Sequence, residues 1–123
     1  MLKISDAEWD VMEVVWQLRR ATAAEVISTL SQTHDWNHRT IRTLLSRLVD
    51  KRALSAESEG AKYVYAAILT RRQCVRQESR SFLDKVFGGD AGALLTHFVK
   101  DSRVSREELE QLRRLLDEKL DQE

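Results

Sequence analysis

Apolar residues recur at helical spacing through most of the chain, and the first such segment follows a recognisable helix start. Ser5 and Glu8 have the Ser-x-x-Glu pattern of a capping box. The apolar positions behind them fall on one helical face, at Trp9, Met12, Val15 and Trp16. The pattern predicts a first helix from about Asp6 to about Leu18.

The next two segments repeat this pattern and predict a pair of shorter helices. Thr22 and Glu25 form a second capping box, and the helix behind it ends near Gln32. Asn37 is a predicted cap of the third helix, with Trp36 just outside it. The apolar side of the third helix carries Ile41, Leu44, Leu45, Leu48 and Val49. Its other side carries Arg39, Arg42, Thr43, Ser46, Arg47 and Asp50. This division predicts one buried face and one basic exposed face.

After Ala53 the spacing changes from helical to alternating. The segment 54–57 predicts a short strand, and the aromatic and β-branched segment 62–67 predicts its return partner. Gly60 lies between them, where a turn with a positive φ is expected. A lone hairpin is marginally stable in water, so this one is expected to pack on the helices.

The remainder of the chain predicts three more helices. Thr70 is the expected cap of a fourth helix that reaches about Phe87, and Gly88 and Gly89 interrupt it. A fifth helix is predicted over Ala91–Lys100. The third capping box, Ser105 with Glu108, opens a sixth helix that is rich in leucine.

These elements predict a mostly α protein with a small β-hairpin, divided near Leu69. Residues 1–69 are expected to form a winged helix-turn-helix domain, and residues 70–123 a helical dimerisation region. Three short helices bury little apolar surface alone, so a second copy is expected to cover them; folding back onto the first domain is the alternative. The predicted dimer contacts are Phe82, Leu83, Val86, Phe87, Leu94, Leu95, Phe98, Leu109, Leu112 and Leu116.

Composition narrows the class of protein. The 123 residues are 42% apolar and 33% charged, contain no proline, and balance 20 acidic with 20 basic residues. A single cysteine excludes an intramolecular disulfide framework and a multi-cysteine metal site. No apolar run is long enough to span a membrane, and the N-terminal residues lack a secretory signal, so a cytoplasmic protein is expected. Between Trp36 and Leu54, five basic residues stand against one acid, whereas between Met1 and Trp16 four acids stand against one basic residue.

Three helices, a basic third helix and a hairpin together favour DNA binding. Arg42 and Thr43 lie one to two turns into the helix, where side chains reach base edges in the major groove. His38, Arg39 and Thr40 are expected near bases or phosphate, Ser46 and Arg47 at phosphate, and Lys62 at the neighbouring backbone or minor groove. The backbone N–H groups near Thr22 can meet another phosphate. One alternative is a solvated charged face. The other is a winged-helix protein-interaction module that uses the acidic first helix and the amphipathic C-terminal helices and binds no DNA.

Catalysis has little support, and neither a metal nor a cofactor is predicted. The three histidines are scattered, and no metalloprotease or phosphate-loop motif occurs. Cys74 lies among arginines that could lower its thiol pKa and suit a redox sensor, but a cysteine in such a position is more often a small packed residue. The tryptophans have the spacing of core residues rather than of a ligand pocket.

The chain resembles the BlaI/MecI penicillinase-repressor family over nearly its whole length. The resemblance rests on residues 4–12, 22–26, 36–48, 63–65 and 82–89, and the segment 36–48 is its most specific part. It implies a homodimeric winged-helix repressor that binds palindromic operators, often with TACA/TGTA half-sites, through the third helix. The family usually has glycine where Arg52 stands.

The resemblance also implies how such a repressor is released. In β-lactam-responsive members, a membrane-bound zinc metalloprotease sensor triggers cleavage of an Asn-Phe pair in the fifth helix. The matching pair here is His97-Phe98, whose first residue departs from the pattern. A copper-responsive branch carries a C-terminal Cys-x-Cys pair, which this chain does not have.

Overall fold

A computed structural model describes residues 3–101 and 103–123, so Met1, Leu2 and Ser102 lie outside the described residues. The chain forms two compact units, Met1–Arg76 and Gln77–Glu123. Nine helices and strands follow one another in the described residues: α1 (Asp6–Leu18), β1 (Arg20–Thr22), α2 (Ala23–Leu30), α3 (His38–Asp50), β2 (Leu54–Glu59), β3 (Lys62–Ala67), α4 (Arg71–Phe87), α5 (Ala91–Asp101) and α6 (Arg106–Asp121). The predicted bounds of α1 and β3 are confirmed, whereas α2 ends two residues earlier than predicted and α5 ends one residue later.

All three predicted capping boxes are present. The Ser5 hydroxyl accepts a hydrogen bond from the Glu8 N–H, and the Glu8 carboxylate accepts one from the Ser5 N–H. Thr22 with Glu25 at α2, and Ser105 with Glu108 at α6, repeat this arrangement. These reciprocal bonds satisfy backbone donors that a helix start otherwise leaves free, which is why the starts could be read from the sequence.

The caps of α3 and α4 follow the same principle. The Asn37 side chain accepts a hydrogen bond of 2.8 Å from the Thr40 N–H, as predicted. Thr70 caps α4 by accepting from the Gln73 N–H, and Gln73 accepts in return from the Thr70 N–H. Glutamine therefore completes a fourth box here.

The small sheet has three strands rather than the predicted two. The strand order is β1-β3-β2 with antiparallel pairing throughout, and Ala21 of β1 lies opposite Tyr65 of β3. A three-residue strand is too short to show alternation, and Thr22 ends it by becoming the cap of α2, so the sequence pattern hides it. The hairpin is also longer than predicted, because β2 continues to Glu59 and Gly60 makes the turn with φ +63°.

The hydrophobic core of the first unit lies between the three helices and the sheet. Its largest fully buried side chains include Met12, Ile41, Leu45, Leu48 and Leu54. The three tryptophans pack against this core, as their spacing predicted. Cys74, in the first part of α4, is buried in the same core.

The second unit has no comparable core in its described residues. No residue of α5 or α6 is buried. Its aromatic residues contact one another instead: the Phe87 ring centroid lies 6.1 Å from that of Phe82 and 5.9 Å from that of His97. No described helix is both long and apolar enough to cross a membrane.

Candidate nucleic-acid interface

Helix α3 has one buried face and one exposed face, as its sequence predicted. Ile41, Leu44, Leu45 and Leu48 are buried, and Val49 packs partly against the same core. The opposite face points away from the core along the whole helix. The predicted contact residues are all exposed: His38, Arg39, Thr40, Arg42, Thr43, Ser46 and Arg47 on α3, and Lys62 on β3.

The arginines of this face carry unpaired charges. Within the described residues, neither Arg39 nor Arg42 nor Arg47 has a carboxylate partner within ion-pair distance. By contrast, Arg20 pairs with Glu59 of the neighbouring hairpin. The face therefore presents guanidinium donors that are free to meet an anion.

Two hydroxyl groups of α3 donate hydrogen bonds within the helix or to its cap. The Thr43 hydroxyl donates to the backbone oxygen of Arg39 at 2.9 Å, and the Thr40 hydroxyl donates to the Asn37 side chain at 3.1 Å. Each threonine thus keeps a methyl group and oxygen lone pairs for a partner, but not its hydroxyl hydrogen. Thymine methyl groups and the amino groups of adenine or cytosine fit these properties.

Arg42 lies where α3 meets both α2 and the hairpin. A cleft of about 280 Å³ joins the start of α2 to the hairpin; it is lined by Thr22, Ala23, Ala24, Arg42, Ala61, Lys62, Tyr63 and Tyr65. A second cleft, between α2 and α3, is lined by Ala24, Ile27, Ser28, Ser31, His38 and Arg42. The structure therefore brings the predicted residues Arg42 and Lys62 together beside the first turn of α2.

The charge of Lys62 also acts on Glu25 in the first turn of α2. The pKa of Glu25 lies below its usual value because it accepts hydrogen bonds from the Thr22 backbone and side chain, with the Lys62 charge adding to the effect. Tyr63 and Tyr65 line the same cleft as Lys62, a role that sequence reasoning missed because it treated them only as strand residues. The sequence signal that could have indicated it is the position of Tyr63 directly after Lys62, beside the Gly60 turn; in the structure Tyr63 is 61% exposed.

Three of the four acids of α1 have partners within the first unit. Glu8 pairs with Lys51, Asp10 with His34, and Glu13 with Arg71. These pairs explain much of the acidity of α1, one of the two features that favoured an interaction module.

Other chemistries find little support in the described residues. No group of three or more His, Cys, Asp or Glu side chains is placed to hold a metal ion there. Burial raises the pKa of the Cys74 thiol, which is the opposite of what a redox sensor needs and favours the packed alternative.

Three helices, a three-stranded sheet and an exposed basic helix beside a hairpin define a winged helix-turn-helix protein of the DNA-binding class. A family model described as Penicillinase repressor matches residues 4–118. The chain belongs to this family, whose members are transcriptional regulators rather than enzymes.

Relatives and solved structures agree with this assignment. The chain is 35% identical to the penicillinase repressor of Bacillus licheniformis over 116 residues, covering 94% of this chain and 91% of the relative. It is 32% identical to the methicillin resistance regulatory protein MecI of Mammaliicoccus sciuri over 117 residues, covering 95% of each. A solution structure of the Bacillus licheniformis BlaI monomeric form in complex with the blaP half-operator matches with a TM-score of 0.53 and 40% identity, covering 58% of this chain and 88% of that one.

Proposed function

We propose that this protein is a dimeric transcriptional repressor that binds palindromic operator DNA, with α3 in the major groove and the β2–β3 hairpin against the flanking backbone. The observation that carries the proposal is the exposed face of α3, whose arginines lack carboxylate partners among the described residues. The related BlaI structure in complex with a half-operator supports the same class of ligand.

Within a half-site, the side chains divide into base readers and phosphate anchors. Arg42 and Thr43 are the proposed base readers, since an arginine can bond guanine with two donors and a threonine methyl fits thymine. His38, Arg39 and Thr40 lie in the first turn, near bases or the adjoining phosphate, and Ser46 and Arg47 contact phosphate one turn later. Lys62 and the first turn of α2 flank the cleft beside Arg42, where a backbone phosphate would meet both.

The second unit supports assembly with a second copy. Six of the proposed contact residues are exposed, namely Phe82, Val86, Leu95, Phe98, Leu109 and Leu116, and four are half-buried, namely Leu83, Phe87, Leu94 and Leu112. Leu115 and Leu120 are 62% and 69% exposed and extend the apolar surface beyond the predicted set. A twofold dimer would cover these side chains and place two recognition helices about one DNA turn apart, roughly 34 Å or a multiple of it.

Release would act on the same unit. The His97–Phe98 peptide bond lies within α5, where the His97 ring contacts Phe87 and Phe98 and its Nδ1 lies 3.1 Å from an Asp101 carboxylate oxygen. Cleavage there, triggered by a membrane-bound metalloprotease sensor, would disrupt the dimer and weaken operator binding without altering Arg42. We also propose that the protein acts in the cytoplasm, where its operator lies.

A binding titration tests the proposed function. The full chain is titrated into a labelled duplex from its own upstream promoter region and into a scrambled duplex of equal length, over a range of salt concentrations. The proposal predicts tighter binding to the promoter duplex and a steep loss of affinity with salt, because phosphate contacts release counterions. Absence of measurable duplex binding at low salt would instead favour the interaction module.

A further inference from the structure

Two carboxylates of α1 hold the segments that flank the recognition helix α3. Glu8 bonds Lys51, the residue directly after α3, and Asp10 bonds His34, in the turn that leads into α3. Glu8 and Asp10 are only two positions apart on α1. Their partners, Lys51 and His34, lie on either side of α3, which is about 20 Å long at the usual helical rise.

The contact at the C-terminal end of α3 consists of several hydrogen bonds around a buried carboxylate. The Lys51 ammonium donates to the Glu8 carboxylate at 2.6 Å and to the backbone oxygen of Lys3 at 2.7 Å. The same Glu8 oxygen also accepts from the Ser5 N–H at 2.8 Å. The Glu8 side chain is 2% exposed and the Lys51 side chain is 31% exposed, so this end of α3 is fixed to the start of α1 through a carboxylate that is shielded from water.

The capping box explains one hydrogen bond of the Glu8 carboxylate but not its ion pair with Lys51. The second oxygen of Glu8 is buried and has no hydrogen-bond partner among the described residues. Replacing a buried ion pair by apolar residues is often neutral or stabilising, because removing charges from water is unfavourable. What the ion pair supplies is a fixed direction and distance between α1 and the end of α3.

The contact before the N-terminal end of α3 is more accessible but equally well defined. The Nε2 atom of His34 lies 3.1 Å from an Asp10 carboxylate oxygen, and the Nδ1 atom lies 2.8 Å from the Thr33 hydroxyl. The His34 ring also contacts the Trp36 indole, at 4.3 Å between centroids. Asn37, the cap of α3, follows directly, so the ordered turn determines where α3 begins.

We propose that Glu8 and Asp10 are positioning residues for operator recognition, which hold α3 at its two ends through Lys51 and His34 and so fix its register in the major groove. This inference rests on the proposed function. It gives two residues outside the DNA-facing surface a role in the specificity of operator binding. Hydrogen bonds to base edges weaken steeply when donor and acceptor are misplaced. Long basic side chains that reach phosphates from a flexible stem tolerate the same displacement.

The test compares sequence-specific with non-specific binding for three variants of equal charge change. Glu8→Gln and Asp10→Asn each remove one carboxylate charge with little change in shape. Asp6→Asn is the matched control, because Asp6 is an exposed acid of the same helix with no hydrogen-bond or ion-pair partner among the described residues. Affinities of the full chain for its promoter duplex and for a scrambled duplex are measured by fluorescence anisotropy, together with the thermal midpoint of each variant.

The ratio of promoter-duplex to scrambled-duplex affinity shows whether the two carboxylates affect specificity. We expect Glu8→Gln and Asp10→Asn to lower this ratio by about tenfold, the equivalent of one weakened base contact, while non-specific affinity stays within about twofold. Asp6→Asn should leave both affinities unchanged, and Asp10→Glu, which keeps the carboxylate, should restore the ratio.

A purely structural role gives a different result. In that case Glu8→Gln and Asp10→Asn would lower the thermal midpoint, but the folded variants would keep the wild-type ratio of promoter-duplex to scrambled-duplex affinity. That result would overturn the inference. If Glu8→Gln does not fold, the comparison of Asp10→Asn with Asp10→Glu decides the outcome at the more accessible contact, between Asp10 and His34. A wild-type protein that shows no preference for the promoter duplex would contradict the proposed function itself, separately from this inference.

Discussion

The indole Nε1 of Trp16 donates a hydrogen bond of 2.9 Å to the backbone oxygen of Leu69. This bond links α1 to the segment that leaves the sheet and enters α4, over a separation of 53 residues. It accounts for a tryptophan, rather than an aliphatic residue, at this position of the core.

Removing this donor should destabilise the first unit. Trp16→Phe keeps an aromatic ring but leaves the Leu69 oxygen without its partner, so we expect a loss of about 1–3 kcal/mol in the free energy of unfolding. Urea denaturation followed by circular dichroism measures the change. Trp9→Phe is the control, since among the described residues its indole donates only to the side chain of Glu13, which can turn to water. An equal loss in both variants would contradict the role given to the Leu69 bond.

Arg52 occupies a backbone conformation that suits glycine. Its φ is +62°, in the left-handed region that is unfavourable for a residue with a Cβ atom. Arg52→Gly should therefore raise the free energy of unfolding by about 1 kcal/mol, less the entropy that glycine adds to the unfolded chain. The comparison variant is Arg72→Gly, inside α4, which should lower it by about 1 kcal/mol. A loss of stability in both variants would show that the backbone at Arg52 carries no strain.

The buried Glu8 carboxylate should make stability depend on acid pH. Burial raises its pKa, but hydrogen bonds from Lys51 and Ser5 outweigh burial and hold the pKa below the usual 4.5. A group with a lowered folded pKa stabilises the protein above its unfolded pKa, and this contribution is lost as pH falls through the folded pKa. We expect the difference in unfolding free energy between wild type and Glu8→Gln to be constant above about pH 5 and to shrink below pH 4.5. A difference that does not change down to pH 3 would contradict this prediction.

The exposed apolar side chains of the second unit should control assembly. Phe98 is 42% exposed on α5, and Phe98→Asp would place a charge within the proposed dimer contact. We expect this variant to sediment as a monomer and to lose affinity for a palindromic duplex, while its affinity for a single half-site stays within about twofold. Lys100→Asp changes an exposed residue two positions away and should remain dimeric. A wild-type chain that is monomeric at micromolar concentration would refute the dimer.

Much of the first unit could be predicted because its signals are local. The capping pairs at Ser5, Thr22 and Asn37 each fix a helix start within four residues of sequence, and the apolar spacing of α3 alone defines which face is buried. The exposed position of Arg42 follows from the same spacing, whereas that of Lys62 follows from its place beside the hairpin turn. Strand β1 was missed because its pairing with β3 is a long-range contact that three residues cannot encode.

The positioning contacts were missed for the same physical reason. Lys51 and Glu8 are 43 residues apart, and an acid near a helix start is equally expected for interaction with the helix dipole. Only the packing of α1 across α3 shows that Glu8 is buried and that Lys51 reaches it. Similarly, the raised pKa of Cys74 comes from burial in the core, whereas the neighbouring arginines suggested a lowered one.

The central claim, that the exposed face of α3 reads operator bases, is tested most directly by Arg42→Ala. The measurement is the affinity of the full chain for its promoter duplex and for a scrambled duplex, with Arg72→Ala as an exposed-arginine control outside α3. The account predicts a loss of about 1–3 kcal/mol in binding free energy that is confined to the promoter duplex, and no such loss for Arg72→Ala. Equal weakening on both duplexes, or none on either, would contradict it.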